Sequence, residues 1–188
     1  MLDIGGGFPL AYDHDVPAIE DFCRPICAAL ARLPTHVRVI AEPGRFIAAP
    51  AAIAISSVMG KAKRDGRWWY YLDDGLYGSY SGQLFDHAKY PLSALREGGE
   101  LYESVLAGPA CDSIDVIDDG ILLPALEVDD LVVGRMMGAY TWASATDFNF
   151  FKRAKVVVMN ERPADAQRVV RLQRKQELGV GHGRRSSC

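Results

Sequence analysis

The first fifty residues carry the pattern of a parallel α/β fold. Met1 to Ile4 reads as the tail of a short buried strand, and Gly5-Gly6-Gly7 stops it abruptly. Ile19, Phe22, Ile26, Ala29, Leu30 and Leu33 then recur at helical spacing, which predicts a helix from Val16-Pro17 to Leu33. Asp15 lies in the cap region and Pro34 ends the pattern. Thr35 to Ala41 is a second predicted strand. Its apolar run, Val37 to Ile40, leads into Ala41-Glu42-Pro43-Gly44-Arg45 and then into another apolar run from Phe46 to Ile55. A single strand, helix, strand unit cannot close a barrel and leaves its strands without neighbours, so the chain reads as cut at its amino end.

After Phe46 the pattern changes to short β-rich segments punctuated by Gly, Pro and Asp. Ala51 to Lys63 predicts a short helical turn running into a strand, Asp65-Gly66 a hairpin turn, and Trp68 to Asp73 an aromatic strand followed by a turn at Asp74-Gly75. Further strands are predicted near Leu101 to Leu106, Ser113 to Ile117, Asp130 to Met136 and Lys155 to Met159. Phe148, Phe150 and Phe151 read as core. Arg162 to Gln176 predicts a basic helix, and Gly179 to Cys188 a disordered tail. The expected organisation is residues 1–50 as an α/β remnant, 51–160 as a β-domain, and 161–188 as a tail.

Composition adds bounds. With 188 residues, 49% hydrophobic and 24% charged, the chain has an ordinary globular make-up. A net charge of −3 invites neither nucleic acid nor an acidic membrane surface. The amino end has no basic segment followed by an apolar one, as a secretory leader would, and the longest clean apolar run, Ile47 to Ile55, is too short to span a bilayer. Four cysteines without paired spacing suit a reducing cytoplasm. Cys23 and Cys27 share a face of the first helix, but no further ligand completes a metal set, and they read as buried structural residues.

The candidate chemistry collects at predicted strand ends. Gly5, Gly6 and Gly7 read either as a nest of backbone N–H groups for a phosphate or as a flexible terminus. Gly44 allows a close backbone approach and Arg45 supplies a fixed cation, so Glu42-Pro43-Gly44-Arg45 reads as an anion site or as a plain charged turn. A carboxylate beside a phosphate is repulsive unless the ligand also carries a cationic ring nitrogen that Glu42 can face. Pyridoxal phosphate has both features. Parallel α/β folds hold ligands at the carboxyl ends of their strands, where both motifs fall. In the β-region, Asp73 and Asp74 read as turn formers, whereas Asp86 in Phe85-Asp86-His87 has no such excuse. Cys111 and Asp112 head a loop entered through Gly108-Pro109, a thiol suited to proton transfer and a carboxylate suited to a cationic substrate. Tyr140 follows a glycine and is suited to hydrogen-bonding a phosphate, although a buried tyrosine is the commoner case.

LDIGGGFP, AEPGRF, DDGLYGSY, FDH, GPACDSID and GAYTWASATDFNFF together, in this order, resemble the pyridoxal-phosphate-dependent ornithine/diaminopimelate/arginine decarboxylases. The resemblance covers nearly all of residues 2 to 160 and corresponds to the second half of a full member. It implies an α/β plus β fold: the terminal part of a (β/α)8 barrel followed by a carboxyl-terminal β-domain. It also implies pyridoxal 5′-phosphate as cofactor, with Gly5, Gly6, Gly7, Gly44, Arg45 and Tyr140 around the phosphate and Glu42 against the ring nitrogen. Asp86 and Asp112 resemble the pair that binds the substrate's distal ammonium, Asp112 reaching in from a second subunit. Cys111, from the same partner, resembles the acid that reprotonates the α-carbon, and Phe148 an aromatic residue lining the site. A homodimer with shared active sites is implied.

Asp112 directly after the cysteine is the ornithine-type arrangement, so L-ornithine giving putrescine is the expected reaction. Lysine, one methylene longer, is disfavoured by only about 1–3 kcal/mol in an apolar pocket. The family's cofactor-linking lysine lies in the barrel half and has no counterpart here, so the isolated chain is expected to be inactive and prone to aggregate through its open strands. The alternatives are a non-catalytic regulatory or binding homologue that dimerises with a full-length decarboxylase, or a lysine, diaminopimelate or arginine decarboxylase.

Overall fold

The structure is a computed structural model that describes residues 1–96 and 98–159. Met1–Ala154 form one compact unit and Lys155–Cys188 a second; the strands and helices of the described residues all belong to the first. The basic helix expected at Arg162 to Gln176 and the tail after Gly179 lie outside the described residues.

Two short parallel strands open the chain. β1 (Leu2–Asp3) pairs with β2 (Val39–Ile40), Leu2 opposite Val39, with α1 (Ile19–Leu30) between them. Both α1 and β2 are shorter than the apolar pattern predicts. Val37 N donates to Pro34 O at 3.0 Å, so residues after Pro34 form a turn before the chain extends. Asp15 does not cap α1, because Ala18 occupies the N-cap and no side chain serves it. The helix buries none of its residues fully; Phe22 meets Phe8 at 5.9 Å, and Phe8 meets Phe46 at 6.5 Å. Cys27 is therefore exposed and Cys23 half-buried, in contrast to the expected buried pair. This β1–α1–β2 unit is what the chain holds of an α/β layer, and among the described residues no (β/α) barrel is present.

After α2 (Gly44–Ala48) and a 3-10 turn at Ala49–Ala51, the chain enters a six-stranded mixed sheet. Its members are β3 (Ala54–Arg64), β4 (Arg67–Leu72), β5 (Leu92–Ala94), β6 (Leu101–Ala107), β7 (Val116–Pro124) and β8 (Leu131–Gly134), in the order β5-β8-β3-β4-β6-β7. Every pairing is antiparallel except β4 with β6, and the two outer strands, β5 and β7, approach each other so that the sheet nearly closes. Asp65 (φ 49°) and Gly66 (φ 82°) make the expected two-residue hairpin turn, whose left-handed pair matches the twist of the flanking strands. The core packs Val58, Tyr70, Leu72, Tyr80, Leu106, Leu123, Leu126 and Val132, and the Tyr70 hydroxyl accepts a 3.0 Å hydrogen bond from Leu126 N.

Three expectations give way. Lys155 to Met159 is not a strand. β7 begins at Val116 and runs through Asp118-Asp119-Gly120, a sequence that reads as a break; Gly120 and Ile117 are the extra residues of two register shifts against β6. Phe148, Phe150 and Phe151 are not core, since Phe150 is 96% exposed and the other two about 40%. Phe148 instead stacks on Tyr77, whose carbonyl oxygen accepts a 2.8 Å hydrogen bond from Thr146 N.

Candidate functional site

The expected site residues fall into two clusters. The first is built where β1 and β2 end. Glu42 N donates to Gly5 O at 2.8 Å, which ties the glycine loop to the acidic turn, and Gly44 N donates to Glu42 O at 2.7 Å. A Cβ at Gly6 would stand 2.8 Å from Glu42 O, so this contact needs glycine. Gly5 and Gly7 have φ of 69° and 80°, and a Cβ on either, or on Gly44, would meet nothing within 4 Å. Their backbone faces open space that a ligand can approach. Gly44 and Arg45 are not a free turn but the first residues of α2.

Arg45 projects from α2 onto two partners. Its guanidinium lies 4.9 Å from the centre of the Tyr140 ring and donates to Asp86 Oδ2 at 2.7 Å. Asp86 is the last residue of the short helix α3 (Gly82–Asp86), ended by His87 in the left-handed conformation. Tyr140 arrives on the segment after β8, held against the end of α2: Gly138 N donates to Ala49 O at 3.0 Å, and a Cβ at Gly138 would collide with Ala48 O. Tyr140 is 56% exposed rather than buried. Two further tyrosines back the cluster, Tyr12 meeting Tyr90 edge-on at 5.7 Å. Burial raises the Tyr12 hydroxyl's pKa, with Arg45 opposing the rise and Asp86 adding to it; burial pushes Tyr90 up to about 12. The glycine loop and Tyr140 thus both meet the segment Glu42–Ala48.

The second cluster is the loop that carries Cys111 and Asp112. Tyr77 donates to Asp112 Oδ2 at 2.6 Å and stacks on Phe148 with ring centres 4.0 Å apart. The hydrogen bond from Tyr77 holds the Asp112 carboxyl below its ordinary pKa and pushes the phenol up to about 12. Cys111 is exposed beside them. Next to this cluster, Asp73, Asp74, Tyr77, Ala110, Asp115 and Phe148 contribute to the walls of a cavity of about 20 Å³. Asp73 and Asp74 do what the turn reading requires: Asp73 Oδ1 accepts from Ser57 N, and Asp74 Oδ1 from Gly75 N and Ser79 N, all at 2.8 Å.

Asp115 organises this second cluster. It is 2% exposed and accepts hydrogen bonds from Leu76 N at 2.7 Å and Ala110 N at 2.9 Å. A Cβ at Gly75 or Gly108 would collide with its carboxylate, so both glycines make room for it. Burial raises its pKa, opposed by those two amides. The only signal in the sequence was a carboxylate inside the apolar run Ile114 to Ile117. Tyr77, which joins Asp112 to Phe148, also had no role read from the sequence. Among the described residues no hydrogen bond or ion pair joins Cys111 or Asp112 to Arg45 or Asp86, and no helix is long and apolar enough to cross a membrane.

Residues 11–138 match the model of the pyridoxal-dependent decarboxylase family's C-terminal sheet domain. The chain is 62% identical to the lysine/ornithine decarboxylase of Vibrio vulnificus crystallised with cadaverine, with a TM-score of 0.82 over 85% of this chain and 44% of that one. It is 37% identical over 172 residues to the lysine/ornithine decarboxylase of Selenomonas ruminantium, covering 89% of this chain and 43% of that protein. The ornithine decarboxylase of Caenorhabditis elegans is 37% identical over 179 residues, 86% of this chain and 42% of its own length. The chain thus spans less than half the length of the relatives it matches.

Proposed function

Because the chain belongs to the pyridoxal-dependent decarboxylases and matches their C-terminal sheet domain, we propose that it forms part of an enzyme that decarboxylates a basic amino acid, L-ornithine to putrescine by preference. The observation that carries this reading is the meeting of Arg45, Tyr140 and Asp86 beside the Gly5–Glu42 contact. Residues 1–50 act as the last part of the cofactor-binding barrel and 51–160 as the domain that brings substrate loops.

The residues fit pyridoxal 5′-phosphate. Gly5, Gly7 and Gly44 offer approachable backbone, with Gly6 packed on Glu42 O between the first two, Arg45 offers a cation and Tyr140 a phenol for the phosphate, and Glu42 a carboxylate for the ring nitrogen. When bound, the cofactor supplies an electron sink for the carbon that loses CO2. Glu42 holds the ring nitrogen protonated. Asp86 and Asp112 hold the substrate's distal ammonium, Cys111 delivers a proton to the α-carbon, and Phe148 lines the pocket. Cys111 and Asp112 serve the site of a second copy in a homodimer, a reading supported by their separation into a cluster of their own. Lysine is the second substrate to consider, since the Vibrio vulnificus relative was crystallised with cadaverine and with putrescine. The 188 residues alone carry no counterpart of the cofactor-linking lysine and are not expected to turn over.

A chimera tests the proposal directly: residues 1–159 replace the matching part of the Vibrio vulnificus enzyme, and CO2 release from ornithine and lysine is measured. The hybrid is expected to decarboxylate ornithine, and Cys111→Ala to lower kcat by about 10²–10⁴-fold, the range for a lost general acid. A hybrid that folds and dimerises but is indifferent to Cys111→Ala refutes the assigned role.

A further inference from the structure

The contact between Arg45 and Asp86 joins two groups that the proposed function assigns to opposite ends of the ligand, one to the phosphate and one to the substrate's ammonium. Neither is a loosely placed surface charge. Tyr140 covers one face of the guanidinium at 4.9 Å, and both charged side chains are only about one-third exposed (32% and 35%). Asp86 is fixed by the end of α3, where His87 N donates to Gln83 O at 3.1 Å and Ala88 N to Gly82 O at 3.3 Å. The pair is specific as well: the carboxylate oxygen stands 2.7 Å from Arg45 Nη2, and the two residues come from elements 41 positions apart.

We infer that Arg45 and Asp86 couple the two ends of the site, so that an anion on Arg45 and an ammonium on Asp86 each tighten the binding of the other. The inference rests on the cofactor reading above and adds a linkage to it. Coulomb's law sets the sign. Phosphate, guanidinium, carboxylate and ammonium form a row of alternating charge, in which every neighbour attracts. With only the phosphate present, Asp86 competes for the guanidinium; with only the ammonium present, Arg45 competes for the carboxylate. Filling either end relieves the competition at the other, and the partial burial of the pair limits screening by solvent. The field of the same pair reaches Tyr12, whose phenol feels Arg45 and Asp86 with opposite sign. Asp86 is therefore a positioning residue for the phosphate end in addition to its role toward the substrate.

The test is calorimetric titration of the chimera described above, cleared of bound pyridoxal phosphate and taken as the wild type, with pyridoxine 5′-phosphate, which has the phosphate and ring nitrogen but no aldehyde, with and without saturating putrescine. Putrescine is expected to tighten binding about fivefold or more, the lower range of allosteric coupling, and pyridoxine 5′-phosphate to tighten putrescine by the same factor, as linkage demands. In Asp86→Asn, checked for folding by circular dichroism, the factor falls to one. Binding of pyridoxine 5′-phosphate that putrescine leaves unchanged in the wild type overturns the coupling while sparing the cofactor site. No binding in the wild type, or binding untouched by Arg45→Ala, overturns both. The wild-type reciprocity decides the matter even where the Asp86→Asn chain fails to fold.

Discussion

Asp115 and Asp112 lie three positions apart on one loop and have opposite pKa shifts, because one is starved of water and the other is served by a phenol. Burial raises the Asp115 carboxyl, and the hydrogen bond from Tyr77 lowers that of Asp112. The sign for the pair Asp112–Tyr77 follows from linkage. Asp112, depressed in the folded protein, contributes stability that is present above its unfolded value near 4 and is lost as pH falls through its folded value. Tyr77, raised to about 12, contributes below pH 10 and loses its share as pH rises through 12. Tyr77→Phe is thus expected to move the acid limb of a urea-midpoint against pH profile toward higher pH and to leave the midpoint of a profile in which Asp112→Asn is already present unchanged. An unmoved acid limb would show that the 2.6 Å contact carries no linkage. Asp115 runs the other way: a carboxyl raised by folding costs stability as pH rises above its unfolded value, so its two amide bonds must offset that cost for the loop to persist.

Elements were legible wherever a local rule decides them. The Asp65-Gly66 hairpin, the turn acids Asp73 and Asp74, strands β4 and β6 and the existence of α1 all follow from neighbours in the sequence. What escaped is non-local. β7 looked broken at Asp118-Asp119-Gly120, because only the facing strand β6 reveals that Gly120 is the surplus residue of a bulge. Asp115 looked incidental, because its partner amide at Leu76 is 39 positions away. The grouping of Arg45 with Tyr140 came from resemblance to a family, which set Asp86 with Asp112 instead, and the direct Arg45–Asp86 contact was not anticipated at all. The segment that delivers Tyr140 depends on one close approach, Gly138 against Ala48 O, where an added methyl has only backbone to push against. Gly138→Ala is expected to destabilise the fold by about 1–3 kcal/mol, as overpacking does, and to withdraw Tyr140 from Arg45. Urea unfolding measures the first effect. For the second, tyrosine fluorescence is blurred by eight tyrosines, so pyridoxine 5′-phosphate affinity is the readout: a drop beyond that of Tyr140→Phe is expected.

Across the Met1–Ala154 unit, stability is unevenly supplied. The six-stranded sheet buries Tyr70, Leu72, Val105 and Leu106 completely, whereas β1, α1 and β2 contain no fully buried residue. Two strands of two residues each, joined by bonds such as Leu2 N to Arg38 O and Ile4 N to Ile40 O, make a ladder too short to stand alone. Yet this weak corner presents Gly5, Gly6, Gly7, Glu42 and Arg45. Its strand edges lie open, and Leu2, Val39, Ile47, Ile53 and Ile55 are exposed, in a chain that spans less than half the length of the relatives it matches. Local opening should therefore be confined to one end of the unit. By native-state hydrogen exchange, the amides of Ile4 and Glu42 are expected to exchange at least about 100-fold faster than those of Tyr70 and Leu106, because the first pair needs only sub-global opening and the second global unfolding. In the chimera with the Vibrio vulnificus barrel half, the first pair should slow toward the second while the sheet amides keep their rates. If Ile4 and Glu42 are already as protected as the sheet in the 188-residue chain, the β1–α1–β2 unit is a stable layer in its own right and the uneven supply of stability is refuted.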